Sequence, residues 1–163
     1  MALRNIRIYG DDVLTKRSKE VSMITPRTKM LIDDMVETMY EANGVGLAAV
    51  QVGVLKRIVV IDTTGEDLIV MINPEILETS GEQEGYEGCL SLPGKSGWVK
   101  RPDYVKVKAL DEDLLPFELE GEGLLARAIV HECEHLDGHF YVDNVKGGIN
   151  GLVDNSELKE EEE

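Results

Sequence analysis

Two cysteines, Cys89 and Cys133, are all that the 163 residues contain. Two thiols exclude a disulfide-rich scaffold. A chain of this length with 42% hydrophobic residues buries a sufficient core without one. Cations are also few: 17 Lys and Arg stand against 32 Asp and Glu, a formal charge of −15. That deficit argues against stable nucleic-acid binding and against an anionic membrane surface, since both need clustered cations. No long apolar run occurs. The longest aliphatic stretches, 58–61 and 68–72, have strand length and fall far short of a bilayer span. Residues 1–7 carry no apolar run behind their basic side chains. No secretory leader is therefore expected, and the expected location is a reducing cytoplasm. Neither a repeat nor a linker divides the chain. One domain is expected over 1–150, followed by an acidic, flexible tail over 151–163. From Asp154 onward that tail has six acidic residues and one lysine, the composition of a solvated end.

What is present reads as mixed helix and strand. Thr25-Pro26 is a helix start, with Thr as the cap and Pro in the first turn. Leu31, Met35 and Met39 recur at spacing four, flanked by Met30 and Val36. They predict an amphipathic helix ending near Asn43-Gly44, with its methionines in the core. Residues 57–62 and 67–72 are β-rich and predict a hairpin around Thr63-Thr64-Gly65-Glu66. Asn73-Pro74 should break the second strand, with a further extended segment over 75–83. Residues 104–110 alternate apolar and charged, as a half-exposed strand does, and pair with 115–120 across Asp111-Glu112-Asp113. Gly121-Glu122-Gly123 precedes a second helix, 124–136, stopped by Asp137-Gly138.

Between the first helix and the hairpin lies Gly44-Val45-Gly46-Leu47-Ala48-Ala49-Val50-Gln51-Val52-Gly53. A nucleotide-binding loop would follow a strand and open a helix. Here a helix precedes the glycines and Ala49 occupies the third glycine position, so that reading is discounted. Gln51, in an apolar setting, needs hydrogen-bond partners, and a structural amide is the default reading.

The densest chemistry is His131-Glu132-Cys133-Glu134-His135. Two histidines four apart share one helix face and can reach one metal ion, with Glu132 as a proton carrier beside it. The bland alternative is two packed imidazoles satisfied by carbonyls. A catalytic site takes three protein ligands and keeps one position open. Cys133 points about 200° away from the histidines. His139 lies beyond the helix end, and Glu157 sits in the charged tail. Cys89 remains, in Glu87-Gly88-Cys89-Leu90-Ser91-Leu92-Pro93-Gly94. A thiolate with two imidazoles is a sound tetrahedral set. A buried apolar thiol stays the other reading of Cys89.

Three stretches together, Gly44-Val45-Gly46-Leu47-Ala48-Ala49-Val50-Gln51, Glu87-Gly88-Cys89-Leu90-Ser91 and His131-Glu132-Cys133-Glu134-His135, resemble the motifs of peptide deformylase, in that family's order. The resemblance implies an α+β fold, with antiparallel β-sheets packed around a central helix carrying H-E-x-x-H and an N-terminal amphipathic helix. It implies removal of the N-formyl group from the formylmethionine of nascent polypeptides, with release of formate. It implies one divalent metal ion per chain on Cys89, His131 and His135, natively Fe2+, for which Zn2+, Ni2+ or Co2+ substitutes. Glu132 is then the general acid and base, while Gln51 and the Leu90 backbone N–H hold the formyl oxygen. The Gly46 backbone would pair with the substrate's main chain. Val45, Leu124, Arg127 and Ala128 match positions around the methionine pocket, Arg127 through its aliphatic stem. Transient association with the ribosome is a further expectation. The sequence departs from the family's habit at Cys133 and Glu134, where an aliphatic residue and Asp are common. It also carries Lys95-Ser96-Gly97 where an arginine often follows the cysteine motif, and an acidic tail where some members have a basic one. Two rival readings remain: a zinc endopeptidase using the same helix with a carboxylate ligand, and a non-catalytic metal-binding or interaction module.

Overall fold

The computed structural model describes residues 2–157. Strand β1 (Gly46–Ala48), β2 (Ile58–Ile61), β3 (Ile69–Ser80), β6 (Tyr104–Leu110) and β7 (Pro116–Glu122) form one sheet in the order β1-β2-β3-β6-β7. Strands β4 (Gln83–Cys89), β5 (Leu92–Arg101) and β8 (Val153–Asp154) form a second, in that order. Every pairing between these strands is antiparallel. Helix α1 spans Pro26–Glu41 and helix α2 spans Gly123–Leu136.

The two helices cover opposite faces of the first sheet at β2. Val59 and Ile61 belong to the cluster containing Ala126, Ile129, Cys133 and Leu136 of α2. Ile58 and Val60 belong to the cluster containing Leu31, Ile32, Met35 and Met39 of α1. A strand with both faces covered is apolar throughout rather than alternating, which is why 58–61 reads as an unbroken aliphatic run. Strand β6, by contrast, buries Val105, Val107 and Ala109 and leaves the intervening side chains more exposed.

Helix α1 begins where its capping signals put it. The Thr25 hydroxyl accepts from Thr28 N at 3.2 Å, and Pro26 opens the first turn. Leu31, Met35 and Met39 are buried, but Met30 is 59% exposed and lies outside the packed stripe. Asn43, in the left-handed conformation at φ 57°, ends the segment. Gly44 N donates back to Met39 O at 2.9 Å.

One expectation about the strands fails. Strand β3 is not broken at Asn73-Pro74 but continues to Ser80. Its pairing with β6 slips between Ile72↔Leu110 and Glu75↔Lys108. Two residues of β3 thus oppose one of β6, a bulge that accommodates a proline without an N–H. The Asn73 side chain secures the bend, accepting from Val21 N at 2.8 Å and donating to Val21 O at 2.9 Å. Within the acidic segment, Val153–Asp154 form β8, which pairs Lys95↔Asp154 and Ser96↔Val153. Residues 158–163 lie outside the described residues. No helix of the described residues is long and apolar enough to cross a membrane.

Candidate metal centre

Three elements converge at the inner end of α2. The last residue of β4 is Cys89, paired with Leu92 across a tight turn. His131 and His135 lie one turn apart on α2. Gln51 sits in a short 3-10 helix, Ala49–Val52, directly after β1. Cys89 Sγ lies 3.3 Å from His135 Nε2, which lies 3.2 Å from His131 Nε2. One ligand atom from each of the three residues falls within 4.8 Å of the others. A tetrahedral ion about 2.1 Å from nitrogen and about 2.3 Å from sulfur spaces its ligand atoms roughly 3.4–3.6 Å apart. The two separations that involve His135 match that spacing to within a few tenths of an ångström.

Each donor is held from behind. The Glu87 carboxylate accepts from His131 Nδ1 at 2.7 Å. That fixes the ring so that Nε2 faces the other ligand atoms. Glu87 is itself gripped by Arg101 at 2.6 and 3.1 Å and by Arg127 at 3.1 Å. Arg101 reaches on to Glu134 at 2.6 Å. Burial pushes the Glu87 carboxyl up, but the hydrogen bonds from His131 and Arg101 outweigh it and bring it down to about 2. For His135, burial and the neighbouring His131 charge hold the pKa well below the ordinary imidazole value. Gln51 is locked by the backbone of Ala48, three residues before it. Its Oε1 accepts from Ala48 N at 2.9 Å, so Nε2 points to Cys89 Sγ at 3.4 Å and to Ser91 Oγ at 3.1 Å.

Glu132 faces the same space. It is 4% exposed, and its Oε1 is buried with no hydrogen-bond partner among the described residues. Burial raises its carboxyl to about 7, against the opposing His131 charge. A buried oxygen without a partner is one that expects a substrate or water. The space it occupies exists because residue 46 is glycine. A Cβ there would lie 2.5 Å from Glu132 Oε2.

These groups open onto a cleft of about 440 Å³. Val45, Gly46, Gln51, Cys89, Leu90, Leu124, Arg127, Ala128, His131 and Glu132 line it. His135 lies beneath, fully buried. All eleven residues singled out from the sequence therefore belong to one region. Arg127 differs in detail from the expectation of an aliphatic stem alone, because its guanidinium turns inward to Glu87. Cys133 packs in the α2 core, where burial pushes its thiol up to about 12, and takes no part in the donor set. Sequence reasoning gave no role to Glu87, Ser91 or Arg101. For Glu87 and Ser91 the only signal was membership of the cysteine motif, and Arg101 had none.

A family model described as polypeptide deformylase matches residues 3–149. The peptide deformylase of Lachnoclostridium phytofermentans is 60% identical, over 99% of this chain and 100% of that protein. That of Agathobacter rectalis is 64% identical, over 94% of this chain and 96% of that protein. Among solved structures, the peptide deformylase of Legionella pneumophila matches with a TM-score of 0.86 at 46% identity, covering 88% of this chain and 86% of that one. The enzyme of Synechococcus elongatus, solved in complex with actinonin, matches at 0.85 and 43% identity, covering 88% and 79%. The chain belongs to the polypeptide deformylase family, metal-dependent hydrolases that remove the N-formyl group from formylmethionyl nascent proteins.

Proposed function

We propose that Cys89, His131 and His135 hold one divalent metal ion, Fe2+ in the native enzyme, with Zn2+, Ni2+ or Co2+ able to replace it. The 3.2 and 3.3 Å separations of the three donor atoms carry this reading. A thiolate with two imidazoles suits each of these ions. Bound there, the cation acidifies water and polarises a carbonyl oxygen. Everything else falls to the chain's own groups. Glu132, ionised and close by, takes a proton from water as the water oxygen adds to the formyl carbon. Negative charge then develops on the formyl oxygen, where Gln51 Nε2 and the Leu90 backbone N–H donate to it. Glu132 passes its proton to the amide nitrogen as the carbon–nitrogen bond breaks. One water and one formamide give one formate and one free amine, so Glu132 is regenerated.

Substrate binding follows from the same geometry. Among the described residues strand β1 is an edge strand, paired with β2 alone, and its Gly46 backbone can accept an extended peptide by strand addition. Val45, Leu124, Arg127 and Ala128 would take the methionine side chain. The enzyme would work in the cytoplasm as a single catalytic domain over 1–150, meeting nascent chains through transient contact with the ribosome. The endopeptidase alternative needs a carboxylate as third ligand, but the third atom beside the histidines is the Cys89 sulfur.

Replacement of Gln51 by Ala tests the oxyanion role. Formate release from formyl-Met peptides should fall about 10²–10³-fold in kcat with metal content unchanged. Glu132→Gln should keep the metal and lose turnover. Either variant retaining the wild-type rate would overturn the assignment.

A further inference from the structure

The segment over residues 2–9 joins two loops of the candidate metal centre. It forms no helix or strand, and Leu3, Ile8 and Tyr9 are all exposed. Side-chain burial therefore does little to place it, and its hydrogen bonds do more. Its first residues are tied to α1. Ala2 N donates to Asp34 Oδ1 at 2.8 Å, Arg4 N to Thr38 Oγ1 at 3.0 Å and Arg4 Nε to Asp34 Oδ2 at 3.0 Å. Farther on, Arg7 N donates to the Gln51 carbonyl at 2.6 Å and Tyr9 N to the Ser91 carbonyl at 2.7 Å. Gln51 and Ser91 are both buried. Two nearby main-chain donors thus satisfy buried residues that lie 40 positions apart in sequence. The Tyr9 ring closes the segment against Phe140, with centroids 4.9 Å apart, and Phe140 meets the His135 ring edge-on.

Those two carbonyls sit beside the two formyl-oxygen donors. Gln51 supplies Nε2. Leu90, whose N–H is the other donor, shares with Ser91 the turn between the paired Cys89 and Leu92. The loops also touch directly, since Gln51 Nε2 donates to Ser91 Oγ at 3.1 Å and to Cys89 Sγ at 3.4 Å. A side-chain amide has two N–H groups. Donation to a substrate oxygen takes one of them from these partners, so the direct link weakens when the donors are needed. The bonds from Arg7 and Tyr9 do not compete with substrate. We propose that residues 7–9 clamp the Gln51 loop to the Cys89–Leu92 turn, so that the Arg7 and Tyr9 backbone N–H groups position the two donors for deformylation. The proposal rests on the oxyanion role of Gln51 and Leu90. Such donors act only where they are preorganised. A displacement of about 1 Å costs about 10²-fold in rate.

Proline at either position removes the donor. In the full-length enzyme, Arg7→Pro and Tyr9→Pro should each lower kcat for a formyl-Met peptide by about 10- to 10²-fold, with KM and metal content little changed. Arg7→Ala and Tyr9→Phe keep the N–H and should keep the wild-type kcat. Proline also fixes φ, so a second change isolates the hydrogen bond. An amide-to-ester exchange at Arg7 or Tyr9 deletes the N–H, leaves every side chain in place and should give the same loss; it decides the result where a proline variant fails to fold. Combining the ester at Arg7 with Gln51→Ala separates positioning from general damage. With the Gln51 amide gone, the ester should cost less than about twofold further, whereas damage unrelated to that donor would multiply. Wild-type kcat in the ester forms, an equal loss in Arg7→Ala, or the full loss in the Gln51→Ala background would each overturn the clamp and leave the oxyanion assignment standing. Gln51→Ala at the wild-type rate would overturn that assignment and the clamp with it.

Discussion

A methyl group at residue 46 should cost the enzyme its rate rather than its fold. In Gly46→Ala, the new Cβ would lie 2.5 Å from Glu132 Oε2, 3.0 Å from Cδ and 3.1 Å from Cγ. Carbon and oxygen in ordinary contact stand about 3.4 Å or more apart, so roughly 0.9 Å must be found. Strand β1 cannot supply it cheaply, because Gly46, Leu47 and Ala48 are in register with Ile61, Val60 and Val59. The far end of Glu132 can move, at an off-rotamer cost of about 0.5–1.5 kcal/mol. The carboxylate would then sit about 1 Å from its working position, and a displacement of that size costs about 10²-fold in rate. Urea unfolding should report a loss near 1 kcal/mol, metal analysis an unchanged ion content, and formate release a kcat/KM lower by about 10²-fold. The backbone N–H and C=O of residue 46 survive the substitution. A role confined to main-chain pairing with substrate would therefore leave activity intact. Wild-type kcat/KM in Gly46→Ala would refute the argument that glycine is there to admit Glu132.

Other consequences follow from the same packing. Cys89→Ser should lose metal retention and activity together, whereas Cys133→Ser should cost at most about 1–2 kcal/mol in stability and leave metal content unchanged, as metal analysis of both will show. Glu87→Ala strands the buried Arg101 and Arg127 guanidiniums and frees the His131 ring. Denaturant curves should record a loss of about 3–5 kcal/mol, and metal affinity should drop about 10–100-fold. Glu87 titrates at about 2 in the fold against an ordinary 4.5. A carboxyl lowered in the folded state contributes stability above about pH 4.5, and that contribution is lost as pH falls toward 2. Glu87→Gln should flatten this acid limb of the stability profile. Because Glu132 is held up near 7 by burial, and a bound cation beside it would lower that value, kcat/KM of the metal-loaded enzyme should decline on the acid side at or below about pH 7.

The helices were legible because their information is local. Helix α1 announces itself through Thr25-Pro26 and the spacing of Leu31, Met35 and Met39, and α2 through its glycine approach and the Asp137-Gly138 stop. The unbroken run in β2 was legible as a strand, but not as one sandwiched between two helices, since that depends on where the helices dock. The continuation of β3 through Pro74 was not readable, because the bulge is defined by β6, some thirty residues away. The donor set was only partly legible. His131 and His135 are neighbours on a helix, while Cys89 lies 46 residues from His135 and was reached by elimination and by resemblance. Glu87 meets Arg101, Arg127 and His131 across separations of 14, 40 and 44 residues, and no local pattern encodes such a meeting. Strand β8 has two residues, too short for any periodicity to show. It pairs with Lys95 and Ser96, and Lys95 lies 59 residues from Asp154, a meeting that no local pattern encodes.

The most direct measurement strips the full-length protein of metal under anaerobic conditions and restores it ion by ion. Formate released from a formyl-Met peptide is followed against bound Fe2+. The account predicts that activity rises linearly, saturates at one ion per chain, and yields one formate for each free amino terminus, with Cys89→Ser neither binding nor reacting. Full metal occupancy without formate, or equal activity in Cys89→Ser, would contradict it.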